Sequence, residues 1–215
     1  MVSILFENDD IVAVDKPAGL ACIAERDREK DNLHAQLSAI YPHKIFIVHR
    51  LDKEASGVVI FAKSAAAHRY LCRQFAEHTV EKTYLALVHG IISGDSGTID
   101  KPLRQFGSGR VAVDMELGKP CVTEFEIIER FKDFTFVHAH PVTGRRHQLR
   151  VHFYSIGHPI VSDPLYGEKN PRINSGAKYF VSRLMLHTEK ITFSLPTGQQ
   201  MTIESAVPEE FNQIL

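Results

Sequence analysis

A carboxylate stands between cations at Arg50-Leu51-Asp52-Lys53, inside the longer run His49 to Gly57. Nearby cations favour the ionised form of an acid, so Asp52 is expected to carry its charge. Two apolar segments that read as strands, Ile45–Val48 and Val58–Ala62, bound the run. Asp52 therefore falls on a short connection held at both ends. An ionised carboxylate on such a frame can serve as a nucleophile or as a base.

Arginines make the second cluster. Thr143 reads as the cap of a helix over 144–156, with Gly157 as its stop and Leu149, Phe153 and Ile156 as its apolar face. Arg145 and Arg146 then fall in the first turn, and Arg150 lies one turn after Arg146. Cations at a helix N-terminus oppose the helix dipole, and a bound anion would relieve that conflict. Either a substrate phosphate or the carboxylate of Asp52 fits; arginines turned away into solvent fit equally well.

Four histidines, His138, His140, His147 and His152, lie within fifteen residues and open a metal-based alternative. His138 and His140 share a strand face, but His147 and His152 are five apart on a helix and do not. No acid lies between Asp133 and Asp163 to complete a ligand set. Hydrogen-bonded structural histidines fit better, and no metal is expected. The sequence also lacks a Gly-x-Gly-x-x-Gly turn, a phosphate-binding loop ending in Gly-Lys-Ser/Thr and a Gly-x-Ser-x-Gly elbow.

The elements that must position these residues are mostly strands. Residues 4–6 and 11–14 read as two strands around Asn8-Asp9-Asp10, and Asp15 to Gly19 as a turn. A short helix is expected over 31–41. A second runs from a Ser64 cap to about His78, with Ala67, Leu71 and Phe75 as its stripe. Further strands are expected at 84–88, 121–128, 134–140, 184–186 and 191–195, with polar loops at 93–97 and 105–109. Strands outnumber helices and do not alternate with them, so the class is α+β, a mixed, mainly antiparallel sheet with flanking helices.

The chain has 215 residues, 44% hydrophobic and 24% charged, which suits a globular protein with one sizeable core. No apolar run approaches the length that spans a bilayer. Met1 to Val14 is broken by Glu7, Asp9 and Asp10 and does not read as a signal peptide. Cys22, Cys72 and Cys121 are scattered, which points to reduced thiols and a cytoplasmic setting. A net charge of −1 argues against a nucleic-acid binder, but the charge is segregated. Residues 1–31 hold eight acids against four bases, residues 101–113 hold Lys101, Arg104 and Arg110 with no acid, and residues 143–178 hold six bases against two acids. Such a distribution makes a positive face on a neutral protein, or else a set of solvated loops.

Taken in order, several segments resemble the RluA-type pseudouridine synthase family. Asp15-Lys16-Pro17-Ala18-Gly19-Leu20 is similar to its first motif, and His49-Arg50-Leu51-Asp52 with Ser56-Gly57 to its second. Lys82 to Gly90 resembles the segment with the active-site tyrosine, and Gly118-Lys119-Pro120 with Thr123 a further short element. Thr143 to His152, with Gly157 to Ile160 and Asp163 to Gly167, resembles the third motif; Leu184 to His187 resembles the last. Ala55 and Ser162 stand where the family usually has Thr and Gly. No segment ahead of the first motif is large enough for an S4-type RNA-binding domain, so the grip on RNA is expected from the catalytic domain itself.

The resemblance implies a single catalytic domain over residues 1–215 that isomerises uridine in structured ribosomal or transfer RNA without a cofactor. Asp52 would be the nucleophile, Arg150 its partner, and Tyr84 would pack on the target base. Leu186 would wall the pocket, and Arg50 would fill the gap left by the flipped base or else pair with Glu54. Arg145, Arg146 and His147 are expected on the RNA side. A monomer is expected, since the pattern shows no surplus apolar surface. Two alternatives stay open: a silent RNA-binding protein of the same fold, and a histidine-based metal hydrolase.

Overall fold

A computed structural model describes residues 2–24, 31–167 and 183–212. The first strands are β1 (Ser3–Glu7) and β2 (Ile11–Lys16), followed by α1 (Leu33–Ile40), β3 (Phe46–Ile47), β4 (Ser56–Ala62) and α2 (Ala65–Ala76). Then come β5 (Glu81–His89), β6 (Ser96–Asp100), β7 (Leu103–Gln105), β8 (Val111–Val113), β9 (Val122–Arg130) and β10 (Phe134–Pro141). The chain closes with α3 (Gln148–Ser155), β11 (Leu186–Ser194), β12 (Gln200–Glu204) and α4 (Glu209–Asn212). Two compact units result: Met1–Lys82 with Thr188–Ala206, and Thr83–His187 with Val207–Leu215.

In the first unit the strand order is β1-β2-β4-β11, with β3 on β4 and β12 on β11. Ile11 and Ala13 of β2 and Val58, Ile60 and Ala62 of β4 alternate onto one face. The α2 residues Ala67 and Leu71 and the strand residues Ile191, Phe193 and Ile203 close that face into a core, and Phe75 packs on its margin. Ser64 caps α2 as its type predicts, its hydroxyl accepting the Ala67 N–H at 3.1 Å, an interaction worth about 1 kcal/mol. Gly57 is obligatory: its φ is +107°, and an added Cβ would lie 2.1 Å from the Thr188 carbonyl oxygen.

The second unit is ordered β5-β10-β9-β6, all antiparallel, with β7-β8 as a separate hairpin. Leu103, Val111, Cys121, Val151 and Tyr166 form a small core that fastens the hairpin to α3. The class is α+β, as expected.

Three elements differ from the expectation. The segments at 184–186 and 191–195 are not two strands, since β11 runs unbroken from Leu186 to Ser194. Thr188 and His187 are fully buried within it, so a locally polar stretch is carried by its neighbours. The loop expected at 105–109 is the tip of β7-β8, and part of that at 93–97 belongs to β6. The third difference, at α3, bears on the site.

Candidate active site

The main chain on both sides of Asp52 is anchored within the first unit. Lys16 is fully buried, and its ammonium donates to the carbonyls of Pro17 (2.9 Å), Leu20 (2.8 Å) and Lys53 (3.0 Å). The Gly19 N–H donates to the same Lys53 carbonyl at 2.8 Å, and the Ala55 N–H closes a turn on the Asp52 carbonyl at 3.2 Å. On the other side, the Leu51 N–H donates to Cys22 Sγ at 3.3 Å, and the thiol returns to the Leu51 carbonyl at 3.5 Å. Burial pushes the Cys22 thiol up, which keeps it neutral as a donor. Asp52 is half-buried on this connection, and Arg50 is exposed.

His49 enters the loop as a structural residue. Its ring stacks on Phe75 at 4.7 Å between centroids, and Nε2 accepts the Ile60 N–H at 3.0 Å. Burial, with a smaller contribution from the Lys82 charge, lowers its pKa to about 3, so the ring is neutral. Lys82 itself is lowered to about 8 by burial.

In the second unit, α3 starts at Gln148 rather than at Gly144. His147 takes left-handed backbone angles, φ 53° and ψ 20°, and Gln148 holds the preceding loop away from the helix. The Gln148 Oε1 accepts the Thr143 hydroxyl (2.8 Å) and the Arg145 N–H (2.9 Å). Its amide nitrogen donates to the Val122 carbonyl (2.8 Å) and to Thr123 Oγ1 (3.0 Å). Arg145 and Arg146 thus lie on an exposed loop before the helix, and the conflict expected of first-turn cations does not arise.

Arg150 is buried on α3 and is gripped by Asp163, with Nε to Oδ2 at 2.7 Å and Nη2 to Oδ1 at 2.8 Å. Both side chains are fully buried. Asp163 Oδ1 also accepts the N–H groups of Leu165 (2.8 Å) and Tyr166 (3.1 Å), and the guanidinium lies 5.4 Å from the Tyr166 ring centroid. The carboxylate therefore has the partners a buried charge requires. His147 connects two of these groups: it accepts from Arg146 Nε at 3.3 Å and donates from Nδ1 to the Tyr166 hydroxyl at 2.8 Å. His152 donates from Nε2 to the Lys101 carbonyl at 3.0 Å and accepts the Thr123 hydroxyl at Nδ1, 2.9 Å.

Tyr84 lies on β5 opposite Ala139 of β10, half-buried, and Leu186 is buried at the start of β11. Arg50 and Asp52 belong to the first unit; Tyr84, Arg145, Arg146, His147, Arg150 and Leu186 belong to the second. His138 and His140 face Glu126 at 3.9 and 3.3 Å. No group of three or more His, Cys, Asp or Glu among the described residues could hold a metal ion. Of the basic residues, Lys169, Arg172 and Lys178 lie outside the described residues, as do the charges from Glu25 to Lys30.

A family model described as RNA pseudouridylate synthase matches residues 10–155, a span that contains Asp52, Tyr84 and Arg150. Among curated proteins, the chain is 39% identical over 213 residues to the dual-specificity RNA pseudouridine synthase RluA of Escherichia coli K12, covering 97% of this chain and 93% of that protein. This chain belongs to the RluA-type pseudouridine synthase family. It is also 35% identical over 226 residues to the ribosomal large subunit pseudouridine synthase D of Nitrosomonas europaea, of which it spans 64%. The solved structure of human RNA pseudouridylate synthase domain containing 1 matches with a TM-score of 0.79 at 30% identity, over 97% of this chain and 84% of that one.

Two buried charges of this RluA-type synthase have no role in the sequence pattern. Asp163 lies within the third motif and is the partner of Arg150. The signal available was chemical: a helix residue buried as an arginine needs a carboxylate, and Asp163 is the first acid to follow. Lys16 lies in the first motif, and nothing in its spacing from Lys53 announces their contact.

Proposed function

We propose that the enzyme converts specific uridines of structured ribosomal or transfer RNA to pseudouridine with Asp52 as its nucleophile, and that both units act as one catalytic domain. The isomerisation exchanges the N–C glycosidic bond of the uracil for a C–C bond. The ring carbon that is joined releases its proton, and the ring nitrogen that is freed gains one. Asp52 lets the bond break and holds the reaction within the site while the base turns. The anchoring of the chain at Gly19, Leu51, Lys53 and Ala55 carries this reading. It restricts where the carboxylate can go, and a nucleophile fixed in advance loses little freedom on reaching the transition state.

Arg150 is the partner that orients Asp52, a role that suits a planar guanidinium. Tyr84 packs on the base, and Leu186 supplies an apolar wall. Base flipping costs about a few kcal/mol, and the exposed Arg50 offsets part of it by stacking in the vacated position. Arg145 and Arg146 contact phosphates. The reaction so drawn uses side chains alone, in a cytoplasmic monomer. Asp52→Ala should abolish pseudouridine formation while RNA binding persists. The check is a pseudouridine map of total RNA from cells that carry the wild-type gene, the variant or no gene; turnover by the variant sinks the mechanism.

A further inference from the structure

A cavity of about 680 Å³ opens between the β7-β8 hairpin, α3 and the segment at Leu165–Tyr166, entirely within the second unit. Asp52, Tyr84 and Arg150 do not line it. Its walls include Phe106, Val113, Val151 and Tyr154, with Arg110 and Ser155 at polar positions. Phe106 and Tyr154 leave 42% and 39% of their surface exposed, although each could be covered by a small ligand between the walls.

One cation, Arg110, lines the cavity, and a second, Lys101, holds the carbonyl of a lining residue. Arg110 donates to the Leu165 carbonyl at 2.9 Å, and Lys101 to the Ser155 carbonyl at 3.0 Å. Leu165 and Ser155 both line the cavity. A carbonyl orients a cation without cancelling its charge, so both positive charges persist. Residues 101–113 contain no acid. The third cation, Arg104, pairs with Asp114 at 3.1 Å and lies over the Phe106 ring at 5.4 Å. Exposed aromatics beside the uncancelled charge of Arg110 match the two halves of a nucleotide, a flat base and a phosphate. An apolar peptide would satisfy the walls but leave Arg110 unused.

We infer that this cavity binds a second, unpaired nucleotide of the RNA substrate, its base against Phe106 and Tyr154 and its phosphate at Arg110. The site selects which folded RNA is accepted and takes no part in the bond exchange. The inference rests on the reading of the protein as an enzyme acting on structured RNA. It supplies a contact that an uncharged base stack and a phosphate share, without reading sequence through a groove.

The test uses the full chain and two labelled probes of equal charge, hexauridylate and an abasic ribose-phosphate hexamer, followed by fluorescence anisotropy. The doubly substituted Phe106→Ala, Tyr154→Ala chain should bind hexauridylate about tenfold more weakly and the abasic hexamer unchanged, given the usual strength of base–aromatic stacking. Ala112→Trp fills the cavity without deleting a wall and should give the same selective loss, which guards against a folding defect in the double variant. Arg110→Gln should weaken both probes. On modified RNA, the cavity variants should raise KM and leave kcat alone. Equal binding of hexauridylate by all chains, a loss of equal size for the abasic probe, or no measurable binding by the wild type overturns the inference. So does a wild-type dimer that Ala112→Trp disperses in sedimentation, which would assign the cavity to a second copy. Pseudouridine formation by the wild type, measured alongside, reports separately on the enzymatic reading.

Discussion

Two charged residues of this protein are held in opposite ways. Asp52 sits half-buried on a connection whose main chain is fixed, with a buried lysine, a glycine and a cysteine gripping the peptide groups around it. Arg150 sits fully buried on a helix, and its own side chain is fixed by a two-point contact with Asp163. The first arrangement restrains the backbone and leaves the functional atoms at the margin of the protein. The second removes the functional group from water and relies on a counter-charge. Under the proposed roles, a nucleophile must reach a substrate, whereas a residue that orients it gains from immobility. Mutations should therefore separate the two regions, with chemistry lost first at one and stability lost first at the other.

The largest effect should come from Asp52→Ala, a loss of at least about a thousandfold in pseudouridine formation by single-turnover assay, with thermal stability nearly unchanged. A large fall in melting temperature would mean that the carboxylate is itself a structural group. Asp163→Asn should show the reverse balance. It strips Arg150 of its carboxylate inside the protein, and breaking a buried pair from one side costs about 3–5 kcal/mol. Urea unfolding should register that loss, and activity should fall because Arg150 is no longer held in place. Stability within about 1 kcal/mol of the wild type would show that the Leu165 and Tyr166 N–H groups suffice to hold the segment.

Lys16→Met asks whether the Asp52 loop depends on its anchor. The substitution leaves three carbonyls without the ammonium that joins them, at a cost of about 1–3 kcal/mol for each fully orphaned group. The relief of a buried charge offsets part of that, so a net loss of about 2–3 kcal/mol is expected. The activity of the folded fraction should fall far less than in Asp52→Ala, because the Gly19, Cys22 and Ala55 contacts remain. Activity lost in proportion with Asp52→Ala, without a stability change, would make Lys16 a catalytic group rather than an anchor.

The first of these regions was more legible in the sequence than the second. Turn residues and flanking apolar runs placed Asp52 on a connection between strands, because such signals are local. The α3 start differs from the expected one because Thr143, a good cap by type, spends its hydroxyl on Gln148 instead of on the helix. Gln148 in turn draws on Val122 and Thr123, some 25 residues earlier, and no local pattern encodes that. The same limit hid the β7-β8 hairpin, whose strands are three residues each. β11 looked broken at His187–Lys190 because its burial comes from the strands beside it rather than from its own composition. The arginine-rich segment and the resemblance together point to an Asp52–Arg150 pairing, while Asp163, which holds Arg150 within its own unit, shows only in the fold.

The mildest test concerns pH and reaches the Asp52 region through His49. Its pKa is lowered to about 3 in the folded protein, against an ordinary value near 6.5 when the chain is unfolded. Below about pH 6.5 the unfolded state binds a proton that the folded state refuses. The contribution of His49 is therefore complete above pH 6.5 and declines as the pH falls towards 3, by about 1.4 kcal/mol for each unit. Between pH 6.5 and 5 that amounts to about 2 kcal/mol. His152 and His89 are also lowered by burial and act in the same direction. His49→Gln keeps an oxygen that can accept the Ile60 N–H but has nothing to titrate. Its urea midpoint should fall less steeply between pH 6.5 and 5, with the slope reduced by close to one proton. An unchanged slope would show that the ring takes up its proton in place, and that the strand contact at Ile60 opens before the loop does.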